Sequence, residues 1–182
     1  MERPPSAERI ELFTNTFDLE SGRDELSGLE ELGRWLRENR LVGEGVRVDE
    51  ADHRAFLDLR TGLREAVDGE EASPHVLARA DALLAELPLL AALALPPSRT
   101  LVPSPELSPA RRACAELALD WVRLVMTGEA ARLKRCAEHT CRWVFWDGSK
   151  NQSRRWCSMR VCGNRTKSRR HQDRERQARR TG

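Results

Sequence analysis

Two pairs of cysteines near the C-terminal end constrain this chain most strongly. Four of its five cysteines lie as Cys136-x4-Cys141 and Cys157-x4-Cys162, and 15 residues separate the pairs. Two short loops that each present two thiols to one side are typical of a structural zinc site, because a tetrahedral ion closes both loops together. A segment this short cannot fold on apolar burial alone, and zinc binding supplies the missing free energy.

Other uses of four cysteines fit less well. An iron–sulfur cluster also takes four thiolates, but paired spacing around a hairpin-sized insert favours zinc. Residues 1–10 lack the apolar core of a signal peptide, and the longest apolar run, residues 87–97, is too short for a membrane span. We therefore expect a cytoplasmic protein without a membrane partner, and a reducing compartment disfavours disulfides.

The four thiolates leave no open position on the metal, so we expect one Zn²⁺ with a structural role. His139 could replace a ligand, but four thiolates already complete the shell. The fifth cysteine, Cys114, is expected to be a small core residue. No catalytic motif is recognisable, and we predict that the protein is not an enzyme. The polar run Thr14, Asn15 and Thr16 is expected to form a buried network rather than a substrate pocket.

The insert between the cysteine pairs resembles a small hairpin. Residues 142–146 alternate in the manner of a β-strand, Asp147-Gly148 is a turn signal, and residues 154–156 lead back to the second pair. Trp143 and Phe145 are expected on one face of this strand, and Phe145 and Trp156 are expected to cover the metal and exclude water from it.

Helix signals dominate the rest of the chain. Caps are predicted at Ser27 (a capping box with Glu30), Asp49, Ser73-Pro74 and Ser108-Pro109, and each is followed by apolar residues at helical spacing. Trp35 and Trp121 lie in these stripes and are expected to pack in the core. Residues 8–19 fit a helix or a strand equally well.

Two short apolar runs flank Pro96-Pro97-Ser98 and favour a hairpin over residues 89–103. The fold class is therefore mainly α with a small β-hairpin. We expect a helical N-terminal domain and a zinc module that ends in a basic helix.

Charge divides the chain into two parts. Residues 1–130 carry a net charge of −10 and residues 131–182 a net charge of +12. Opposite signs suggest two modules with different tasks, and we place them at 1–130 and 131–182. The basic module is suited to binding nucleic acid.

The motif Cys162-Gly163-Asn164-Arg165 resembles that of the CGNR zinc-finger proteins, whose N-terminal part is the ABATE domain. The C-terminal similarity runs from Arg132 to His171 and includes Arg154-Arg155-Trp156-Cys157. The N-terminal similarity is carried by Asn15-Thr16, Trp35-Leu36 and Leu41-Val42-Gly43. The resemblance implies zinc on the four cysteines and stress-induced transcription regulation. We expect a treble-clef-like finger whose last ligand opens a helix.

A helix from about residue 162 to 180 would be about 28 Å long and could lie along a DNA groove. The predicted DNA-contacting residues are Arg154, Arg155, Asn164, Arg165, Lys167, Arg169, Arg170 and Arg174. The N-terminal domain would dimerise or sense a small-molecule effector. Four alternatives stay open: a solvated basic tail, RNA binding, a protein-interaction module, and a redox-responsive zinc module whose tail contacts the acidic half.

Overall fold

The computed structural model describes residues 2–69, 72–93 and 101–181 of the 182-residue chain. Within them the chain is mostly helical, with two antiparallel strand pairs. The helices are α1 (Pro5–Thr14), α2 (Leu29–Glu38), α3 (Glu50–Ala66), α4 (Pro74–Ala85), α5 (Pro109–Met126) and α6 (Asn164–Thr181). The strands are β1 (Leu89–Ala91), β2 (Leu101–Pro103), β3 (Leu133–Arg135) and β4 (Val144–Trp146). The predicted fold class is confirmed.

The N-terminal segment that sequence alone could not assign forms α1. Pro5 occupies the first turn, where its missing N–H costs nothing. Ala7, Ile10 and Phe13 are spaced by three residues and are all fully buried. One apolar face therefore holds this helix on the core.

The cap predictions hold at three helices and fail at one. Asp49 and Asp52 form a reciprocal capping box at α3, and the Ser108 hydroxyl accepts from the Arg111 amide at 3.2 Å. Ser73 is the N-cap of α4 but forms no side-chain cap bond. The predicted Ser27 box is wrong because Gly28 occupies the cap position and its carbonyl accepts from Leu32 N at 2.9 Å. Ser27 lies one residue too early to cap the helix.

The predicted hairpin after α4 is present. Strands β1 and β2 pair antiparallel, with Leu90 opposite Val102. The turn expected at Pro96-Pro97-Ser98 lies outside the described residues. Among the described residues, the structure contains no helix with both the length and the apolar character needed to cross a bilayer.

The main core lies between α1, α2, α3 and α5. The Phe13 ring packs 5.6 Å from Trp35 and 6.1 Å from Phe56, measured between ring centroids. Trp121 packs against the same core, as expected of a packing residue, and Cys114 is fully buried in it. Burial in apolar surroundings raises the pKa of the Cys114 thiol to about 12, which leaves it a protonated core residue.

Strand β4 joins the helical core to the cysteine-rich segment. Its Val144 and Trp146 belong to the main core, whereas Phe145 between them packs beside the cysteines. Both faces of this short strand are buried because alternate side chains point to opposite sides. The two parts of the chain therefore share one strand.

Helix α1 also closes the outer edge of β4. The Asn15 amide donates to the Val144 carbonyl at 2.8 Å, and its oxygen accepts from the Val144 N–H at 2.9 Å. Glu11 accepts from the Trp146 N–H at 2.8 Å. An unpaired strand edge is costly when buried, and these side chains satisfy it.

The expected polar network around Thr14 to Thr16 is present. Arg64 donates to the Thr14 carbonyl at 2.7 Å, and Arg60 donates to the Thr16 hydroxyl at 3.0 Å. Both threonines are buried. Arg64 also reaches the Arg142 carbonyl at 3.1 Å, so the network extends from α3 to the cysteine-rich segment.

Candidate metal centre

The first cysteine pair lies in the turn of the β3–β4 hairpin. Arg135 and Val144 face each other in the register, and Cys136 N donates to Trp143 O at 2.8 Å. The chain then reverses tightly, since the Glu138 carbonyl accepts from Cys141 N at 2.9 Å and from Arg142 N at 3.1 Å. This closed turn directs both thiols to one side.

The hairpin is not the one that the sequence predicted. Strand β4 pairs with β3, which precedes the first cysteine, and not with residues 154–156. The alternating pattern correctly located β4, but it carries no information about the partner strand. The first cysteine loop is therefore part of the hairpin and does not precede it.

The second cysteine pair leads into α6. Ser158 caps a single wide helical turn over Met159–Gly163, and α6 begins at the next residue. Cys162 thus lies at the start of the basic helix, as expected. A Cβ at Gly163 would lie 2.5 Å from the Met159 sulfur, so a larger residue there would displace this exposed, flexible side chain.

The four sulfur atoms lie within 4.8 Å of one another. The Sγ atoms of Cys141 and Cys157 are 3.6 Å apart, as are those of Cys157 and Cys162. A tetrahedral zinc–thiolate site places its sulfurs about 3.8 Å apart, given Zn–S bonds of about 2.3 Å. Soft thiolates in this arrangement fit Zn²⁺, and the four of them leave no position for a reactive water. The chain has one structural zinc site.

The crowding of the four sulfurs also favours a bound cation. Burial, together with the neighbouring sulfurs, raises the pKa of Cys157, and burial raises that of Cys162 to about 12. Four thiolates this close would repel one another. A divalent ion offsets that repulsion and displaces the thiol protons.

Aromatic side chains cover the sulfurs much as predicted. Phe145 is buried among Cys136, Cys141 and Cys162, and the half-buried Trp156 packs on the same cluster. Trp143, expected on the same strand face as Phe145, is instead 40% exposed, whereas Phe145 is buried. Trp143 lies outside β4, next to the left-handed Arg142, and so does not continue the strand's alternation.

The loop from β4 to the second cysteine pair is held by one buried carboxylate, Asp147. It accepts from the Ser149 amide at 3.0 Å, the Arg154 amide at 2.9 Å and the Lys134 ammonium at 2.7 Å. Burial alone would raise the pKa of Asp147, but the hydrogen bonds from Lys134 and Ser149 outweigh it and hold the pKa below its usual range. The turn predicted at Asp147-Gly148 is thus an anchored loop.

A second buried carboxylate, Glu138, attaches α6 to the first cysteine loop. Its oxygens accept a two-pronged pair from Arg169 at 2.9 and 3.0 Å and a hydrogen bond from the Thr166 hydroxyl at 2.9 Å. The hydrogen bonds from Arg169 overcome burial and lower the pKa of Glu138 to about 2. We call Glu138, Thr166 and Arg169 the helix latch.

Sequence reasoning missed the helix latch, although a signal was present. Glu138 and Asp147 are two of only four acidic residues in 131–182. An isolated acid in a basic segment is a candidate for a buried internal pair, because its charge has many potential partners.

Some of the predicted DNA-contacting residues bind other parts of the protein in the structure, and others are exposed. Arg154 donates to the carbonyls of Trp146 and Cys157 and lies over the Phe145 ring, and Arg169 is part of the helix latch. Arg165 pairs with Glu20 at 2.6 Å on the surface. The side chain of Arg170 lies outside the part that the structure describes. The remaining predicted residues are all exposed: Arg155, Asn164, Lys167 and Arg174.

Comparison with known protein families gives two matches. Residues 132–175 match the model of the CGNR zinc finger, a range that encloses all four clustered cysteines. Residues 11–128 match the ABATE model, whose description is "Putative stress-induced transcription regulator". A search of curated proteins finds no match. The ABATE match covers more than half of the chain. The chain therefore belongs to the ABATE family and carries a CGNR zinc finger.

Proposed function

We propose that the protein regulates transcription by binding DNA through its zinc finger, with α6 as the contacting helix. The observation that carries this proposal is a long, strongly basic helix anchored at one end to the metal centre. From Gly163 to the end, the chain holds eight basic and two acidic residues, and Ala178 is its one apolar side chain. Such a helix has no apolar face to bury in its own chain.

The helix latch supports the proposal by setting the orientation of α6. Arg169 faces the cysteine loop because both of its terminal nitrogens bind Glu138. At 100° per residue, Lys167 and Arg174 lie on the opposite face of the helix. Both are exposed. A positive surface is thus presented away from the finger, where a phosphate backbone can approach it.

The contacts of these side chains indicate which of them stabilise the finger and which are available to DNA. Arg154 and Arg169 organise the finger, while Arg155, Lys167 and Arg174 form the proposed DNA surface. Asn164 donates to the Arg160 carbonyl at 3.0 Å and holds the helix start. Arg165, paired with Glu20 on the surface, would exchange this partner for a phosphate.

Salt dependence of duplex binding tests this proposal. We expect the logarithm of the binding constant to fall with the logarithm of salt concentration with a slope near −4 to −5, for about five phosphate contacts. The variant K167E/R174E should weaken binding by about 10- to 100-fold through the loss of two contacts. Its matched control is R47E/R54E, which makes the same change in net charge at two exposed arginines.

Equal weakening by both double variants would refute α6 as the DNA surface, since only net charge would then matter. Single-stranded and duplex RNA of the same length belong in the same titration. Tighter binding to either RNA than to duplex DNA would replace the DNA proposal with an RNA one.

The helical part, residues 1–130, is proposed as the regulatory part of the chain, which dimerises or receives a small-molecule effector. Its net charge of −10 makes it unsuited to bind nucleic acid itself. Sedimentation of the full chain with and without DNA tests dimerisation, and a monomer under both conditions excludes it.

A further inference from the structure

A cleft of about 810 Å³ lies between α1, the end of α2 and α5. Four arginines line it, Arg9, Arg40, Arg112 and Arg123, against one acidic residue, Glu116. This is unexpected, because residues 1–130 carry many more acidic than basic side chains. Even with the buried Asp120 behind Arg9 and Arg123, four arginines face two carboxylates, so the cleft is a local positive site in the acidic half of the chain. Low-dielectric walls focus such a potential on small anions.

Two of the arginines are held in place by a buried carboxylate. Arg9 and Arg123 donate to the same Asp120 oxygen at 2.6 and 3.0 Å, and the Ser6 hydroxyl donates to it at 3.1 Å. Asp120 is fully buried, whereas Arg9 is 44% exposed. A guanidinium has five N–H donors, so each arginine keeps donors for a ligand while its position stays fixed. Preorganised donors of this kind bind anions more tightly than mobile ones.

A third arginine occupies a position that normally takes glycine. Arg40 follows the last turn of α2 with φ of 56°, and the Leu41 amide closes the helix by donating to Leu36 O at 2.9 Å. This left-handed C-terminal position favours glycine because a Cβ is strained there. The arginine costs stability and places its side chain at the cleft, as residues at binding sites often do.

The remaining wall is apolar. Leu41, Val42 and Ala113 line the cleft together with the arginines. The volume falls within the range of small-molecule sites, about 300–1,000 Å³. We propose that this cleft binds a small organic anion, with its carboxylate on the arginines and an apolar body against Leu41 and Val42.

The proposed ligand defines the effector class for the regulatory role, and to that extent it rests on the proposed function. Binding itself is independent of DNA. A cleft of this volume suits a small molecule, whereas DNA needs an extended surface such as α6. An arginine side chain favours a planar carboxylate as its ligand, because the carboxylate accepts two parallel hydrogen bonds from the guanidinium.

Calorimetric titration of the full-length zinc-bound protein with benzoate tests the proposal, with succinate and inorganic phosphate as comparison anions at constant ionic strength. We expect saturable benzoate binding with a dissociation constant of about 1 mM or tighter. Phosphate should bind more weakly than benzoate because it lacks an apolar body.

Three variants and one control sharpen the test. R40G and R112Q should each weaken benzoate binding about fivefold or more through the loss of a charged donor. R40G should also raise the melting temperature, because glycine accepts the left-handed backbone. E116Q should tighten binding about two- to fivefold by removing a like charge. The control R54Q alters an exposed arginine outside the cleft and should change nothing.

Weaker binding in a more stable R40G protein cannot come from misfolding. The proposal is overturned by absence of saturable benzoate binding, by R40G and R112Q that bind like the wild type, or by phosphate that binds as tightly as benzoate. Displacement of benzoate by a short DNA duplex would reassign the cleft to nucleic acid. If K167E/R174E loses DNA binding but binds benzoate as the wild type does, the DNA proposal and the anion proposal are independent of each other.

Discussion

Asn15, at the end of α1, forms with Val144 both of the hydrogen bonds that a neighbouring strand would form. Its amide donates to the Val144 carbonyl and its oxygen accepts from the Val144 N–H. The two residues lie 129 positions apart in the sequence, and most of the helical part of the chain lies between them. A single side chain thus replaces a third strand beside β4 and joins the finger to the first helix.

Removal of this side chain should destabilise the protein. We expect N15A to lower the free energy of unfolding by about 2 kcal/mol, because a buried backbone N–H and C=O both lose their partner. Urea denaturation of the zinc-bound protein measures the change. N151A, at an exposed asparagine in the finger, is the control and should have no effect. Equal urea midpoints for N15A and the wild type would show that the Asn15–Val144 hydrogen bonds do not stabilise the protein.

Zinc content should follow the cysteine cluster. Metal analysis is expected to find one zinc ion per chain in the wild type, none in C162A, and one in C114A, whose cysteine lies apart in the main core. Structural zinc in small modules provides about 10–16 kcal/mol, so its removal should unfold the segment that carries the second cysteine pair together with α6. Circular dichroism would record the loss of α6. Full zinc binding by C162A would show that another residue completes the shell.

The helix latch should control the mobility of the start of α6. E138Q removes the charge that binds Arg169 and should cost about 2 kcal/mol, a value reduced from that of fully buried pairs because Arg169 is partly exposed. Hydrogen exchange at the amides of residues 164–169 should accelerate about tenfold. Zinc content should stay at one ion. E38Q, at an exposed glutamate, serves as control, and unchanged exchange in E138Q would show that the latch does not hold the helix.

Acid should remove the contribution of the Asp24–Arg60 pair. Arg60 donates to both Asp24 oxygens at 2.6 and 2.8 Å. Burial opposes ionisation of Asp24, but the Arg60 hydrogen bonds outweigh it and lower the pKa of Asp24 from its ordinary value. A lowered folded-state pKa contributes stability that is fully present above the unfolded value, about 3.9, and is lost as pH falls below it.

The variant D24N should therefore be less stable than the wild type by about 2 kcal/mol at pH 7. This difference should shrink as the pH falls through about 4. Urea denaturation of both proteins at matched pH values measures it, and effects of acid on the zinc site cancel in the comparison. A difference that stays constant with pH would mean that the Asp24 charge contributes nothing.

Features encoded by neighbouring residues were predicted well from sequence. The Asp49 and Ser108 caps, the β1–β2 hairpin and the two cysteine pairs each depend on a few adjacent positions. Ser27 failed within this class because Gly28 competes for the same cap. The local sequence showed that a helix begins near Ser27 and Gly28, but it did not show which of the two residues is the cap.

Features that join distant segments were not predictable in the same way. The partner of β4, the acceptor for Arg169 and the role of Asn15 all depend on which surfaces meet after folding. Composition suggested that Arg169 would bind phosphate, because its pattern is that of any basic helix. Only the position of Glu138, 31 residues away, reveals its internal role.

The two-faced burial of β4 has a consequence for how the finger could be reused. Leu133, Val144 and Trp146 all belong to the core of the helical part. A finger separated from residues 1–130 would expose these three side chains to water. It would also lose the hydrogen bonds between Asn15 and the edge of β4. Transplanted to another protein, the finger would expose an apolar surface, so its stability depends on its helical neighbour.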